Sequence, residues 1–227
     1  MSVNSSNSSL LQGIKSRIGN LVNLGFSSST DLSDLYEAYI FSILIRAAKN
    51  EGANISFQNP LEQEVQSLIF RRSPGQIYVT TQPYTHAVIE FDNKPVLEAH
   101  VGIMIQGRSQ VAHECDLSVI LQEEARNCRN LVYEPRHTKV IIAVECKHYT
   151  SNLQLHLGRS FIGLASDLNV KEDIYFISNR TSDNIEKLLS SHRKKWEHNI
   201  IPRQVNEIQR LMYTFQRNFK DFKARYN

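Results

Sequence analysis

Asp116, Glu145 and Lys147 are the residues of this chain best matched to one reaction. Asp116 stands in residues 113–120, which read HECDLSVI; the other two close residues 139–147, which read KVIIAVECK. Both segments are rich in Val and Ile and read as strands. Side chains alternate along a strand, so Glu145 and Lys147 share a face and Cys146 takes the other. The apolar run 140–144 marks the second strand as buried. A buried strand ending in Glu-x-Lys sets a carboxylate beside an ammonium at the edge of a core. If the two strands pair antiparallel, the start of one lies beside the end of the other, and Asp116 joins the pair. Two carboxylates with open coordination positions hold Mg²⁺ through oxygen. The ion polarises a phosphodiester and steadies the charge that grows during attack, and Mn²⁺ is expected to substitute. A nearby Lys holds the nucleophilic water or helps neutralise the phosphorane.

Holding three side chains in register requires a sheet. Residues 77–81, 87–91, 96–105, 115–122 and 139–147 read as strands, with turns at Asn93-Lys94-Pro95 and Gln106-Gly107-Arg108. The charged stretch 123–138 reads as a loop or short helix at the rim of the site. Residues 1–9 are Ser/Asn-rich and read as disordered, 10–24 as a short helix, and Ser27 to Thr30 as a polar break. Asp31 or Ser33 caps a helix over 34–50 whose apolar side carries Leu35, Ala38, Tyr39, Ile43 and Ala47. Pro60 is expected to open a third helix over 60–71. After Lys147 come a helix over 152–168, a strand over 174–178 and a helix from Ser182 or Asp183 to about Trp196. The last helix, 205–225, carries Ile208, Met212, Phe215 and Phe219 on one stripe. The order implies an α/β fold, a mixed central β-sheet flanked by helices. It divides the chain into a tail and short helix (1–30), a core (31–180) and a helical extension packed on that core (181–227), one domain overall.

The 227 residues, 41% hydrophobic and 22% charged, suit one soluble globular domain. The formal charge of +3 neither demands nor excludes a nucleic-acid partner. Three Cys, at 115, 128 and 146, form no CxxC pair and no secreted pattern, which points to a reducing, cytoplasmic setting. No apolar run approaches a membrane span, and the N-terminus lacks the apolar stretch of a signal peptide, so no membrane partner is expected.

An acid on the first core helix, an Asp on one strand, Glu-x-Lys at the end of the next, then helix and strand: over residues 31–180 this order resembles the PD-(D/E)xK phosphodiesterase superfamily, the restriction endonuclease-like nucleases. The resemblance implies an αβββαβ core with added N- and C-terminal helices and one Mg²⁺ site. It implies that Asp116 and Glu145 are metal ligands and that Lys147 is the catalytic lysine. Glu37 matches the acid on the first core helix, which supports the metal directly or through water. Gln154 matches a Gln that several subfamilies keep to orient the lysine or the nucleic acid. The sequence departs from the pattern at Cys115, where the motif has Pro.

Each feature also has a plainer reading. Glu-x-Lys is common, usually as a solvated pair contributing well under ~1 kcal/mol, and Glu134 with Arg136 repeats the spacing as loop charges. What separates Glu145 and Lys147 is the buried strand and the neighbouring Asp. Glu37 lies on a largely apolar helix between Tyr36 and Tyr39, where an unpaired charge is costly. Glu114 is expected on the far side of the sheet. His113 and His148 read as surface residues flanking the site, since no His pair has HxxxH or HExxH spacing and Cys and His form no zinc pattern. Cys146 reads as a small buried hydrophobe. Phosphate contacts are assigned to Arg159, one turn beyond Gln154, and to Arg71 and Arg72. The run His192-Arg193-Lys194-Lys195 reads as a solvated helix end, and the C-terminal stripe as core or dimer packing. Together these imply a Mg²⁺-dependent endonuclease acting on DNA, of restriction or defence type. A homodimer and an activating protein partner stay open. The alternative is a catalytically weak nucleic-acid-binding or partner-binding subunit on the same fold.

Overall fold

The computed structural model describes residues 3–19, 32–71, 73–81, 83–170 and 173–226. Seven strands form one sheet in chain order: β1 (Asn54–Gln58), β2 (His86–Glu90), β3 (Leu97–Gln106), β4 (Ala112–Leu121), β5 (Val140–Lys147), β6 (Ile174–Ser178) and β7 (Lys195–Glu197). β1 to β5 pair antiparallel, and β5, β6 and β7 pair parallel. The expected mixed sheet flanked by helices is therefore the architecture of the chain.

Helices cover both faces. α1 (Val3–Ile18), α2 (Leu32–Asn50) and α6 (Val205–Arg225) bury Ile14, Tyr39, Ile43, Phe215 and Phe219 with Ala99, Val119, Ile142 and Val144 of the sheet. On the other face, α3 (Gln122–Leu131), α4 (Leu155–Leu168) and α5 (Asp183–Ser191) bury Cys128, Phe161, Ala165, Ile185 and Leu189 with Ile103, Cys115, Ala143 and Phe176. A sheet apolar on both faces must be covered on both, and this explains the near-continuous apolar run of β5.

Several local expectations give way. Residues 3–9, read as disordered, belong to α1, because Leu10, Ile14 and Ile18 dock on the core at four-residue steps and hold the helix; it ends at Gly19, whose φ is +109°. The polar break at 27–30 and Asp31 lie outside the described residues. Pro60 opens no helix. The Asn59 Oδ1 accepts hydrogen bonds from the backbone N–H of Leu61 and Gln63, and the resulting turn returns the chain to pair Gln58 with Glu64. Ile77 is buried but sits in a turn, not a strand, its carbonyl accepting from the Tyr84 hydroxyl at 2.6 Å. α5 stops at Ser191, and residues 195–197 add β7 parallel to β6 instead of continuing the helix. Arg193 takes φ +52° at that reversal, and Lys195 reaches Asp173 at 3.5 Å, so this basic run is a turn and an edge strand. Among the described residues no helix is long and apolar enough to cross a membrane.

Candidate active site

β3 and β4 change faces at one point. Val101 pairs with Leu117 and Ile103 with Cys115, yet Val101 and Leu117 belong to the α2 side while Ile103 and Cys115 belong to the α4 side. Strict alternation would put residues two apart on one side. The break falls at Gly102, whose φ is +63°, directly across from Asp116. The β4–β5 ladder also ends here, its last pair being Leu117 with Val144. Past that pair, Cys146 donates its N–H to Asp116 Oδ2 at 2.7 Å, so a carboxylate replaces a backbone acceptor. β5 meanwhile stays paired with β6 as far as Lys147. The site thus lies where β4 peels away, at the carboxyl end of the parallel part of the sheet, where open α/β sheets leave a crevice.

The structure gathers Asp116, Glu145 and Lys147 as expected. The Lys147 ammonium lies 2.6 Å from Glu145 Oε1 and 3.7 Å from Asp116 Oδ2. Burial opposes its charge, but the two carboxylates outweigh burial and hold it protonated well above the ordinary lysine range. Asp116 is buried and is pushed up to about 6, by burial first and then by Glu145, with Lys147 and the Cys146 N–H opposing. Glu37 enters from α2. Burial, then the charges of Asp116, Asp34 and Glu114, raise it to about 9, against a weaker pull from Lys147. Asp116, Glu145, Glu37 and Glu114 thus all act on one ammonium, the charge pattern that a divalent cation relieves. The acids are not drawn into a closed cage: among the described residues the one set of three His, Cys, Asp or Glu ligand atoms all within 4.8 Å of one another lies elsewhere. Mg²⁺ does not need a cage, because it keeps several waters and binds through one or two carboxylates and substrate phosphates.

Glu114 corrects its expectation. Its charge raises Glu37, and its own carboxyl is raised by burial and then by Asp116; it alternates with Cys115, which packs on the α4 side, and so stands on the α2 side with Glu37. His113 turns to Asp167 of α4, with 2.6 Å between Nε2 and Oδ2. The His148 ring packs on Tyr36 of α2, ring centroids 5.2 Å apart. Cys146 is buried, and burial followed by Asp116 and Glu37 lifts its thiol well above the ordinary range, so it is no nucleophile.

The helpers are more dispersed. Gln154 is the exposed N-cap residue of α4 and makes no side-chain cap, and Arg159 is exposed one turn on. Arg71 does not suit phosphate binding: it is buried, with its guanidinium 3.8 Å from the Tyr84 ring centroid and a hydrogen bond to the Gln76 carbonyl. Arg72 lies outside the described residues. Two cations the sequence reading passed over, Arg180 and Arg203, line a cavity of about 600 Å³ past the end of β5, together with His148, Tyr149 and Asn179. The signal for Arg180 was its place just after β6, beside the end of β5. α3 is not at this rim, since it leaves the end of β4 remote from Asp116.

At that remote end lies a second polar group the sequence reading missed. His86 on β2 and Glu98 and His100 on β3 are fully buried under α3, whose Arg129 donates to both oxygens of Glu98 at 2.8 and 2.9 Å. Glu98-x-His100 on one strand was the available signal; local zinc-spacing rules do not detect ligands shared between strands.

Comparison with known proteins yields no matching family model, curated protein or solved structure.

Proposed function

We propose that this chain is a metal-dependent endonuclease of the PD-(D/E)xK type, acting on DNA. The carrying observation is the convergence of Asp116, Glu145 and Lys147 where β4 parts from β5. The order α2, β3, β4, β5, α4, β6 supports the same reading, since it follows the αβββαβ template. Asp116 and Glu145, with Glu37 beside them, are the residues that would hold Mg²⁺, and Mn²⁺ in its place. When bound, the ion supplies Lewis acidity and charge neutralisation at the scissile phosphate. Lys147, held protonated by its carboxylates, places a positive charge against the developing phosphorane and orients water; in this state it has no free lone pair to act as base. Asp116 is fixed by the Cys146 N–H, so its second oxygen keeps a defined direction.

Cleavage of plasmid DNA in Mg²⁺, with Asp116→Ala and Lys147→Ala as controls, tests the assignment. Each substitution should lower the rate by at least ~100-fold. Equal cleavage by both variants and the parent would remove the proposal. The close Lys147–Glu145 pair favours one alternative, a binding subunit whose site is closed by its own ion pair. That reading expects DNA binding with no Mg²⁺-dependent cleavage in any of the three proteins.

A further inference from the structure

We propose that His86, Glu98 and His100 form a second metal site, a structural one suited to Zn²⁺. Their ligand atoms all lie within 4.8 Å of one another. Glu98 Oε2 stands 3.0 Å from His100 Nε2 and 3.5 Å from His86 Nε2. Four ligands at zinc's usual bond lengths of about 2.0–2.1 Å lie roughly 3.3 Å apart at the corners of a tetrahedron. The two spacings bracket that figure.

The cluster is poorly explained as an ordinary polar core. His86 has no solvent exposure, and neither of its ring nitrogens meets a hydrogen-bonding partner among the described residues. Leaving such a group unpaired costs about 1–3 kcal/mol. Ser118 pairs directly with His100 across β3 and β4, and its buried hydroxyl also has no partner among the described residues. The two imidazole rings lie nearly parallel, centroids 4.8 Å apart, with both Nε2 atoms near the same Glu98 oxygen. Arg129 grips both Glu98 oxygens, at 2.8 Å on the Oε2 that faces the histidines and 2.9 Å on Oε1, and is itself shared with Glu62 at 3.2 Å. That support orients the carboxylate, as hydrogen bonds behind metal ligands do elsewhere. Two imidazoles and one carboxylate are a donor set for Zn²⁺ and its neighbours, not for the oxygen-seeking Mg²⁺ of the Asp116 site. Burial denies substrate access, so the ion would fasten β2 to β3 beneath α3.

The full-length protein, purified and then dialysed against Zn²⁺, is analysed for metal and for thermal stability. The expected result is one Zn²⁺ per chain and a Zn²⁺-dependent rise in Tm of roughly 5–10 °C over the EDTA-treated protein. Co²⁺ in its place should give the visible absorption of a tetrahedral site. Asp116→Ala should keep the ion, and His86→Phe should lose both the ion and the rise in Tm. Parent protein that binds no more Zn²⁺ than His86→Phe, or that loses its Zn²⁺ with Asp116→Ala, would overturn the proposal. Should His86→Phe fail to fold, the metal content of the parent and of Asp116→Ala still decides.

Discussion

Glu37 enters the site from α2 with its carboxyl moved from the usual 4.5 to about 9, by burial first and by Asp116 next. Below about 4.5 the carboxyl is protonated in both the folded and the unfolded chain and costs the fold nothing. As pH rises past about 4.5 the unfolded chain ionises while the folded one does not, so stability declines until about 9. Asp116 adds a decline of the same sign between 3.8 and about 6. Below 6.5 buried His86 and His100, which burial keeps neutral, act with the opposite sign, so without metal the protein should lose stability from neutral to alkaline pH. Glu37→Gln should flatten this slope and stabilise the metal-free protein by about 1–3 kcal/mol at pH 8, while lowering Mg²⁺-dependent cleavage by roughly tenfold or more. Chemical denaturation in EDTA across pH checks the first part and cleavage rates the second. A destabilised Glu37→Gln would mean that Glu37 is ionised and paired, and that the crowding of acids is not its governing influence.

At the level of elements, the break between β3 and β4 carries the placement of Asp116. Gly102 sits in left-handed backbone, where a side chain costs about 1–2 kcal/mol, and a Cβ there would meet Arg71 Cβ at 3.3 Å. Gly102→Ala should destabilise the fold by about that amount. It should also lower cleavage at temperatures where both proteins are folded, because the backbone opposite Asp116 must shift. Urea unfolding and cleavage rates measure the two effects; cleavage unaffected by Gly102→Ala would separate Asp116 from the break. None of this geometry was legible in the sequence, where Gly102 is one glycine inside an apolar run. The two-residue alternation did reveal Glu145 and Lys147 on one side of β5, and the antiparallel pairing that brings in Asp116. Glu114 was misplaced although its alternation with Cys115, which packs on the α4 side, puts it on the side of Glu37. The helix foreseen at Pro60 failed because the Asn59 side chain captured two backbone N–H groups, a local competition that hydrophobic periodicity does not register. β7 was hidden because three residues at a sheet edge show no period of their own. His86 and Glu98 came together only through the pairing of β2 with β3, a long-range fact.

Across the whole molecule, the C-terminal stripe belongs to the core that carries the site. Phe215, Phe219 and Phe222 of α6 have no solvent exposure, and Phe219 packs on Phe91 with ring centroids 5.7 Å apart. Asn218 accepts the Tyr175 hydroxyl at 2.9 Å, and Lys223 donates to the Glu51 carbonyl at 2.8 Å, just past the end of α2. α6 therefore clamps α2, the helix that presents Glu37, against the sheet, and its apolar face is spent on this chain instead of on a second copy or a partner. Phe219→Ala should remove about 3–5 kcal/mol of stability through lost burial and the cavity left behind. Because α2 and the sheet share one core, cleavage should be lost at the same denaturant concentration as tertiary structure, while below that midpoint the rate per folded molecule stays near that of the parent. Parallel measurements of near-ultraviolet circular dichroism and residual cleavage across a urea series would show the two midpoints. Activity lost well before tertiary structure would mean that α2 can detach from the sheet on its own, and that α6 fixes the site without belonging to its cooperative unit.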